Sequence, residues 1–442
     1  MAPLYLLACI VFGGSDRASW SDAILDVTGL IVIAFAAAAP TPEPLTRHAK
    51  QFLFFAMTAV AVIALQEVRF ASLPWGHWST ISAAGPNAMK SAGISYGDRL
   101  TSVHRLTAVL AFLPPIASFC AVVRLGPVRR SSLVVALLAA AFVAIAASVI
   151  QFGAVAGLPT YPDRESSFSS VIGLSRSPDH LADLLIITLP FIAAIAPSTK
   201  PQETERQSGL FLISAGLAGV IFFGLALAGS PVGSLLALPV IAASSLIVLP
   251  SRSRLRKPAA LLAALLVFGA IAALTTNAQF GGSLGWISSR SVEPRRAQPM
   301  MLAKAIANQL PWGSGLASFA RVYPHYGDKR GPAGTDFTHA NNDYAETALE
   351  LGLPGIALML VFLIWWGKGL WSIWRTGGGS AFSRAASIAS GTILVESLVD
   401  FPLRTAAISA CFATFIALLA EPRYRPLPKL ADVRPARHLV FE

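Results

Sequence analysis

Long apolar runs dominate this chain of 442 residues and restrict the folds that it can adopt. A helix that crosses a bilayer needs about 20 predominantly apolar residues. Only 13% of the residues are charged, whereas soluble domains carry about 25%. The sequence therefore predicts an all-α polytopic membrane protein with roughly twelve transmembrane helices and a long outer loop that contains short interfacial helices. The predicted spans are residues 3–13, 22–40, 50–66, 104–124, 133–157, 180–197, 209–228, 233–250, 259–275, 353–374, 385–400 and 405–420.

Basic residues indicate which ends of these spans face the cytoplasm, because short cytoplasmic loops are enriched in lysine and arginine. They occur in every second loop and in the tail after Glu421, so we predict that both termini lie inside. Segments 67–103, 158–179 and 276–352 then lie outside. The same enrichment explains most of the net charge of +11, so we expect no nucleic-acid partner. The basic loop residues are Arg47, Lys50, Arg129, Arg130, Lys200, Arg206, Arg252, Arg254, Arg256, Lys257, Arg375 and Arg384.

The first residues and the cysteines carry little functional information. Met1 to Gly13 is apolar but has no charged leader and no obvious cleavage site. We predict a short first span, with a misplaced start codon as the alternative explanation of its length. Cys9, Cys120 and Cys411 all lie inside apolar runs, and they offer neither a metal spacing nor a disulfide framework.

Polar residues concentrate between Pro311 and Gly355, which is where the sequence suggests chemistry. Upstream of this stretch, Glu293-Pro294 offers a helix start, and Leu302, Ile306 and Leu310 form an apolar stripe at helical spacing. Arg295 and Arg296 would then lie in the first turn of that helix. Free N–H groups and two guanidinium groups together suit a phosphate. A solvated basic turn or a contact with lipid headgroups explains the two arginines equally well.

A second helix is predicted to start after Asn341-Asn342, since asparagine is a good N-cap. It would bring Asp343, Glu346 and Glu350 to one face, and Gly352 and Pro354 would stop or kink it. His339 and Asp343 then flank the helix start, where either side chain could take a proton from a sugar hydroxyl. The alternative is an interfacial cap with a solvated acidic face.

Further candidates lie at the predicted outer ends of two other spans. Asp179-His180 follows Arg176, and a capping aspartate is the structural explanation of that pair. Glu396, Asp400 and Arg404 occur in the sequence VESLVDFPLR. Ionisable groups at membrane depth are costly and are usually paired or functional. An Asp400–Arg404 pair and a substrate-binding role are both consistent with this segment.

These segments occur together in an order that resembles the O-antigen ligase and Wzy-type polysaccharide polymerase superfamily. The family shows P-x-G-x-G-x-x-x-F, a tyrosine-rich turn, H-A-H-N-D-Y-L and E-L-G-x-x-G. The chain has the corresponding residues in that order over its C-terminal three-fifths, and its first spans agree by hydropathy alone. The matching positions are Pro311, Gly313, Gly315, Phe319, Tyr323, Tyr326, His339 to Tyr344 and Glu350 to Gly355, with Gly173 to Pro190 upstream and Ser397 to Arg404 downstream.

The resemblance implies a multi-pass glycosyltransferase of the bacterial inner membrane whose active site faces the periplasm. Its donor would be an undecaprenyl-diphosphate-linked glycan in the surrounding membrane lipid. Its acceptor would be a second lipid-linked glycan or lipid A-core, and a chain-length regulator is a candidate partner. The family works without a metal, so the resemblance implies no metal and no other cofactor. The product of the polymerase would be a surface polysaccharide or exopolysaccharide.

With this resemblance, the chain divides into four predicted parts. Residues 1–275 form the N-terminal transmembrane helices, and 276–352 form a periplasmic catalytic loop. Residues 353–420 form the C-terminal transmembrane helices, and 421–442 form a cytoplasmic tail. The catalytic residues expected in and beside the loop are carried over by position in the family motifs.

Two departures from the family pattern affect those positions. The family's second histidine is Asn341 here, and an amide cannot act as a base, so His339 is the first candidate base and Asp343 the second. Asn341, Asn342 and Tyr344 would position the substrate. The family's S-R-x-G phrase is Ser230-Pro231-Val232-Gly233 here. The diphosphate would therefore rely on other arginines, namely Arg176, Arg295, Arg296, Arg321 and Arg404.

Three functions remain open at this point. A polymerase is favoured over a ligase because, by family resemblance, ligases generally keep the histidine that is Asn341 here. A transporter or flippase of lipid-linked glycans would concentrate ionisable groups near mid-span and show internal repeats, neither of which is evident. A relative that has lost catalysis and serves as an assembly partner is compatible with the departures at Asn341 and Pro231.

Overall fold

The computed structural model describes residues 1–14, 20–38, 45–67, 109–124, 131–153, 174–175, 177–195, 204–249, 253–279, 299–323, 326, 339–375 and 379–420. Within these residues the regular elements are helices, and no strand occurs. The α-helices are α1 (Ala2–Phe12), α2 (Trp20–Ala38), α3 (Arg47–Glu67), α4 (Leu113–Val123), α5 (Ser131–Gly153), α6 (Pro178–Ile195), α7 (Thr204–Ala228), α8 (Pro231–Val248), α9 (Arg256–Gln279), α10 (Pro299–Gln309), α11 (Phe319–Val322), α12 (Asp343–Arg375), α13 (Ala381–Glu396) and α14 (Ala406–Leu419). A single 3-10 turn, Pro402–Arg404, precedes α14.

Each of the twelve predicted spans contains one of these helices, which supports a polytopic membrane protein. Seven helices among the described residues are long and apolar enough to cross a membrane. They are α2, α3, α5, α6, α8, α9 and α12. Helices α1, α4 and α14 and the segment Leu212–Ala228 are apolar but shorter. The number of spans therefore stays a prediction.

The centre of the bundle is formed by α6, α13 and α14. Nearly every residue of α6 from His180 to Ala194 is buried, and α14 is buried along almost its whole length. Alanines on α13, including Ala385, Ala386 and Ala389, have no exposed surface. Small side chains let helix backbones approach closely, which is how membrane helices gain packing energy. The peripheral helices instead expose large apolar side chains, such as Phe54 on α3 and Phe268 on α9.

The helix ends meet in the alternating order that the sequence predicts. The Ala407 N–H at the start of α14 donates to the Gly13 carbonyl just after α1. At the other end of α14, the Thr46 hydroxyl beside α3 donates to the Ala420 carbonyl, with 2.7 Å between the oxygens. Helix α14 thus runs opposite to α1 and α3. Which end faces the periplasm stays a prediction.

Helix α12 joins the predicted loop helix and the following predicted span in one element that is interrupted at Gly352. The backbone there has φ 61° and ψ −146°, which confirms the predicted kink. Because Pro354 lacks an N–H, the Glu350 carbonyl loses its helical partner. The Gly315 N–H donates to that carbonyl instead at 2.8 Å, and the Leu353 N–H donates to the Pro311 carbonyl at 2.7 Å.

The P-x-G-x-G segment therefore completes the hydrogen bonding of the kink. Both Gly313, at φ 81°, and Gly352 lie in the left-handed region that favours glycine. A Cβ atom on Gly313 would collide with the Glu350 carbonyl, and one on Gly352 would collide with the Pro311 carbonyl. Two motifs that lie about 40 residues apart in sequence are interlocked through their backbones. This interlock fixes the direction of the first turns of α12, which carry the candidate site.

Candidate active site

The start of α12 is held by hydrogen bonds to the end of α13 and the turn that follows it. Asn342 caps the helix, because its side-chain oxygen accepts from the Ala345 N–H at 2.9 Å, as the sequence predicts. Its amide nitrogen donates to the Leu398 carbonyl at 2.7 Å. The Tyr344 hydroxyl donates to the Leu394 carbonyl, also at 2.7 Å. Asn342 and Tyr344 thus anchor the helix, and a role in positioning substrate stays a prediction.

Three carboxylates on one face of α12 surround the guanidinium group of Arg404. Arg404 Nη1 lies 3.0 Å from Glu350 Oε2 and 3.3 Å from Glu346 Oε1. Arg404 Nε lies 3.7 Å from Asp343 Oδ1. The shared face was predicted, but the alternative of a solvated acidic face is wrong. Asp343, Glu346 and Glu350 are only 6%, 1% and 0% exposed, because they turn inwards to a cation supplied by the turn before α14.

The charges in this cluster determine what Arg404 can do. Burial lowers the pKa of the Arg404 guanidinium, but the surrounding carboxylates outweigh burial and raise that pKa above its ordinary value. Arg404 is therefore a permanent cation that compensates buried negative charge. Its immediate surroundings carry more carboxylates than guanidinium groups. This geometry favours a structural role for Arg404, and its predicted contact with a diphosphate stays untested.

His339 precedes the helix and forms a pair with Glu346. His339 Nδ1 lies 3.1 Å from Glu346 Oε1, and the other oxygen of Glu346 accepts from the Ala340 N–H at 2.9 Å. A carboxylate at Nδ1 favours the tautomer that has its proton on Nδ1, which leaves Nε2 as a proton acceptor. The His339 side chain is 25% exposed, whereas that of Glu346 is 2% exposed. The pair therefore has a buried orienting group and an accessible base.

Phe401 fixes the plane of the imidazole ring. The two rings stack with 4.3 Å between centroids and 24° between planes. On another side, Phe401 meets the edge of the His180 ring at 5.2 Å and 88°. Phe401 therefore lies between two histidines from distant parts of the sequence. One of them is accessible and the other is 2% exposed.

Asp343 is less suited to accept a proton from a substrate. Its Oδ2 accepts from the Ser397 hydroxyl at 3.0 Å and from the Leu403 N–H at 3.2 Å. Its Oδ1 faces Arg404. Since both oxygens are engaged and the residue is buried, the geometry favours His339 as the base and gives Asp343 a positioning role.

Several other predicted site residues lie outside the part of the chain that the structure describes. Arg176, Arg295 and Arg296, together with the predicted helix start at Glu293-Pro294, lie outside the described residues. Arg321 belongs to α11, but its side chain lies outside the description. Asn341 adopts φ 52° immediately before the helix cap. The structure thus brings together His339, Asp343 and Arg404, and the predicted arginines of the loop stay predictions.

The apolar stripe upstream of the site helps to pack α10 against α12. Leu302 on α10 is buried against a small core that includes Phe319, Tyr323 and Leu349, while Leu310 is 36% exposed. Helix α10 therefore packs on the first turns of α12. The aromatic turn of the family pattern contributes directly, since Phe319 and Tyr323 stack at 5.1 Å.

Sequence reasoning missed two partners of the candidate base. Glu346 was recognised as part of an acidic face, but its contact with His339 depends on a turn that carries His339 back over the helix. Phe401 gave no sequence signal beyond its position between Asp400 and Pro402. Asp183, an ionisable residue inside a predicted span, was also missed.

Comparison with protein families gives an independent test of the resemblance. A family model described as O-antigen ligase matches residues 216–360. The resemblance to the O-antigen ligase and Wzy-type polymerase superfamily is therefore confirmed. The matched segment includes His339, the first turns of α12 and the interlocked glycine motifs, and it ends before Arg404. A search of curated proteins finds no match to this chain. Over these residues the chain is thus similar to the O-antigen ligase family, and the wider chain has the apolar helices of a multi-pass membrane protein.

Proposed function

We propose that this protein is an inner-membrane polymerase that joins undecaprenyl-diphosphate-linked repeat units of a surface polysaccharide or exopolysaccharide. The observation that carries the proposal is the oriented His339–Glu346 pair in a segment that matches the O-antigen ligase family. Such a pair suits removal of a proton from an attacking hydroxyl. The active site would face the periplasm, as the distribution of basic loops predicts.

The reaction needs no metal in this proposal. A sugar hydroxyl of the acceptor attacks the anomeric carbon of the donor, and its proton moves to His339 Nε2. The bond between the anomeric carbon and the diphosphate oxygen breaks, and undecaprenyl diphosphate leaves. Developing imidazolium charge on His339 is stabilised by the Glu346 carboxylate at Nδ1. Asp343 and Glu350 hold Arg404, which keeps the helix start in place.

The departing diphosphate requires cations, and Arg295, Arg296, Arg176 and Arg321 are the proposed donors. Arg404 is surrounded by carboxylates, so we expect it to contribute least to diphosphate binding among the predicted arginines. Guanidinium groups bind phosphate oxygens in a bidentate manner, which suits a leaving diphosphate. Removing one such group would weaken both donor binding and departure of the leaving group.

A ligase that transfers glycan to lipid A-core is the second candidate, and the match to the O-antigen ligase family favours it. Asn341 in place of the family's second histidine favours the polymerase by resemblance. A transporter is less well supported, since the family that matches residues 216–360 is described as O-antigen ligase. A chain-length regulator remains a proposed partner.

The proposal is tested in a deletion strain complemented with His339→Ala, Asp343→Asn or Arg296→Ala, with polysaccharide length measured on gels. His339→Ala should lose long chains, since a general base contributes about 10²- to 10⁴-fold in rate. His339→Gln, which keeps the size but cannot accept the proton, should behave in the same way. Membrane content of each variant must equal that of the wild type.

The gel pattern also separates the two candidates. Loss of long chains with single repeats still attached to lipid A-core supports a polymerase. Loss of all glycan from lipid A-core, with long lipid-linked chains intact, supports a ligase. Normal long chains from all three variants would overturn the assigned site.

A further inference from the structure

A second group of buried acids lies beyond Phe401, between α6 and α13. Asp183 comes from α6, Glu396 is the last residue of α13, and Asp400 lies in the turn that follows. One carboxylate oxygen from each residue lies within 4.8 Å of the other two. Asp183 and Glu396 have no exposed surface, and Asp400 is 8% exposed. None of these residues contributes to the transfer step proposed above.

Two of these three acids lack hydrogen-bond partners among the described residues. None of the four carboxyl oxygens of Asp183 and Glu396 has a hydrogen-bond partner by distance and angle within the described chain. No lysine or arginine of the described residues forms an ion pair with either side chain. The basic group beside them is His180, whose Nε2 lies 3.4 Å from Asp400 Oδ2. At the outer edge, the Ser230 hydroxyl donates to Asp179. Buried charges of this kind are expected to be paired or to coordinate an ion.

We propose that Asp183, Glu396 and Asp400 form a binding site for Ca²⁺, a hard cation. Ca²⁺ takes oxygen ligands at about 2.3–2.6 Å. One oxygen from each residue lies within 4.8 Å of the other two, so all three can contact one such ion. Mg²⁺ suits this group less well, because it usually keeps several waters and binds through one or two carboxylates. The all-carboxylate donor set does not suit Zn²⁺, which prefers nitrogen and sulfur.

The charges also suit a divalent ion. Three carboxylates supply the charged oxygen ligands that a divalent hard cation takes. Waters would complete the six to eight ligands that Ca²⁺ takes. Asp179 and Asp400 lie at the less buried side of the group, at the end of the bundle where α6 begins.

The site ties α6 to α13 and to the turn that carries Phe401 and Arg404. Its role is structural, so it goes beyond the proposed transferase function without supplying a step in it. The competing explanation is a proton shared between the Asp183 and Glu396 carboxyl groups. A shared proton would remove charge without any metal and would make the group insensitive to Ca²⁺.

The first test uses the full-length wild-type chain in nanodiscs after treatment with EDTA. Equilibrium binding of radioactive Ca²⁺ should reach about one ion per chain, and Ca²⁺ should raise the Tm by several degrees. Mg²⁺ at the same concentration should raise the Tm less. Absence of Ca²⁺ binding, or an equal response to Mg²⁺ and Ca²⁺, would overturn the proposal.

The second test compares Asp183→Asn and Glu396→Gln with the control Asp22→Asn, which changes an aspartate on α2. Each site variant should weaken Ca²⁺ binding at least about 10-fold, because each removes a charged ligand. The control should bind as the wild type does. Unchanged binding in both site variants would sink the assignment, and the wild-type measurement stands even if a variant fails to fold. His339→Ala should keep Ca²⁺ binding, which separates this site from the transferase proposal.

Discussion

The two buried acidic clusters of this protein contain the same number of carboxylates but compensate them differently. In the first, Asp343, Glu346 and Glu350 surround Arg404, and His339 projects from the edge. In the second, Asp183, Glu396 and Asp400 have His180 beside them, and Phe401 separates the two clusters. The first cluster carries its own cation, whereas the basic group described beside the second is the His180 imidazole, which is charged only when it is protonated.

This difference shows how similar residues acquire different functions through their counter-charges. A permanent guanidinium compensates the buried negative charge of the first cluster and lets Glu346 orient a base. Asp183 and Glu396, which have no hydrogen-bond partner among the described residues, must take up a proton or an external ion. The first cluster is suited to holding a reacting group, and the second cluster is suited to binding an ion. Variants that weaken one cluster, with the function of the other measured in the same protein, test this difference.

The largest effect is expected from Arg404→Ala. It leaves three buried carboxylates without their cation, and removing one partner of a buried ion pair costs about 3–5 kcal/mol. We expect a strong fall in Tm of the purified protein and loss of long polysaccharide in cells. The Tm measured by intrinsic fluorescence in detergent is the direct readout.

The matched control is Arg375→Ala at the far end of α12, where the guanidinium lies 5.1 Å from the centre of the Trp371 ring. Its loss removes a cation–π contact worth about 0.5–1 kcal/mol at an exposed site. If both variants lowered the Tm equally, Arg404 would not be the central counter-charge of the first cluster. Ca²⁺ binding that survived in a folded Arg404→Lys variant would show that the two clusters are compensated independently.

The next effect concerns the kink that directs the first cluster. Gly352→Ala forces a side chain into a left-handed backbone and against the Pro311 carbonyl, so we expect a loss of about 2–4 kcal/mol in the free energy of unfolding. Gly367→Ala, in the same helix, is the control, because its Cβ would meet nothing within 4 Å. A helical glycine replaced by alanine gains up to about 1 kcal/mol. Opposite signs of the two Tm shifts are the expected result, and equal shifts would contradict the interlock.

The fold could be predicted from sequence where hydropathy and local signals suffice. All twelve apolar runs contain helices, and the Asn342 cap and the Gly352 kink follow from residue type alone. The interlock of Gly313 with Gly352 could not be predicted, because the sequence gives no register between the two backbone segments. The same limit applies to Arg404, whose partners on α12 lie more than 50 residues before it in sequence.

Glu346→Gln tests the orienting role within the first cluster. The amide keeps the size of the side chain but removes the charge that stabilises an imidazolium on His339. We expect polymer synthesis to fall on the order of 10-fold, less than with His339→Ala. Initial rates with purified lipid-linked donor are the measurement. A rate equal to that of the wild type would make Glu346 a structural partner of Arg404 only.

The sequence predicted some residues of the candidate site but not the contacts that set their roles. His339 and Asp343 were identified from their positions at a helix start, and their relative importance follows from contacts that no pattern encodes. Asp343 is enclosed by Ser397, Leu403 and Arg404, all brought in by the turn after α13. Asp183 was missed because a single acid in an apolar run gives no sign of its partner on another helix.

The smallest effect is expected from Phe401→Leu, which acts on the boundary between the clusters. Leucine keeps most of the apolar volume but loses the stack on His339 and the edge contact with His180. Aromatic pairs are worth about 0.5–1.5 kcal/mol beyond their buried area, so the Tm should fall by a few degrees at most. The imidazole of His339 would lose one constraint on its plane, and we expect kcat to fall about 3- to 10-fold with little change in KM. Phe362→Leu, at a ring cluster remote from both histidines, should lower the Tm similarly and leave kcat unchanged. If Phe401→Leu also weakened Ca²⁺ binding, the turn that carries Phe401 would couple the two clusters. The two clusters would then form one connected site.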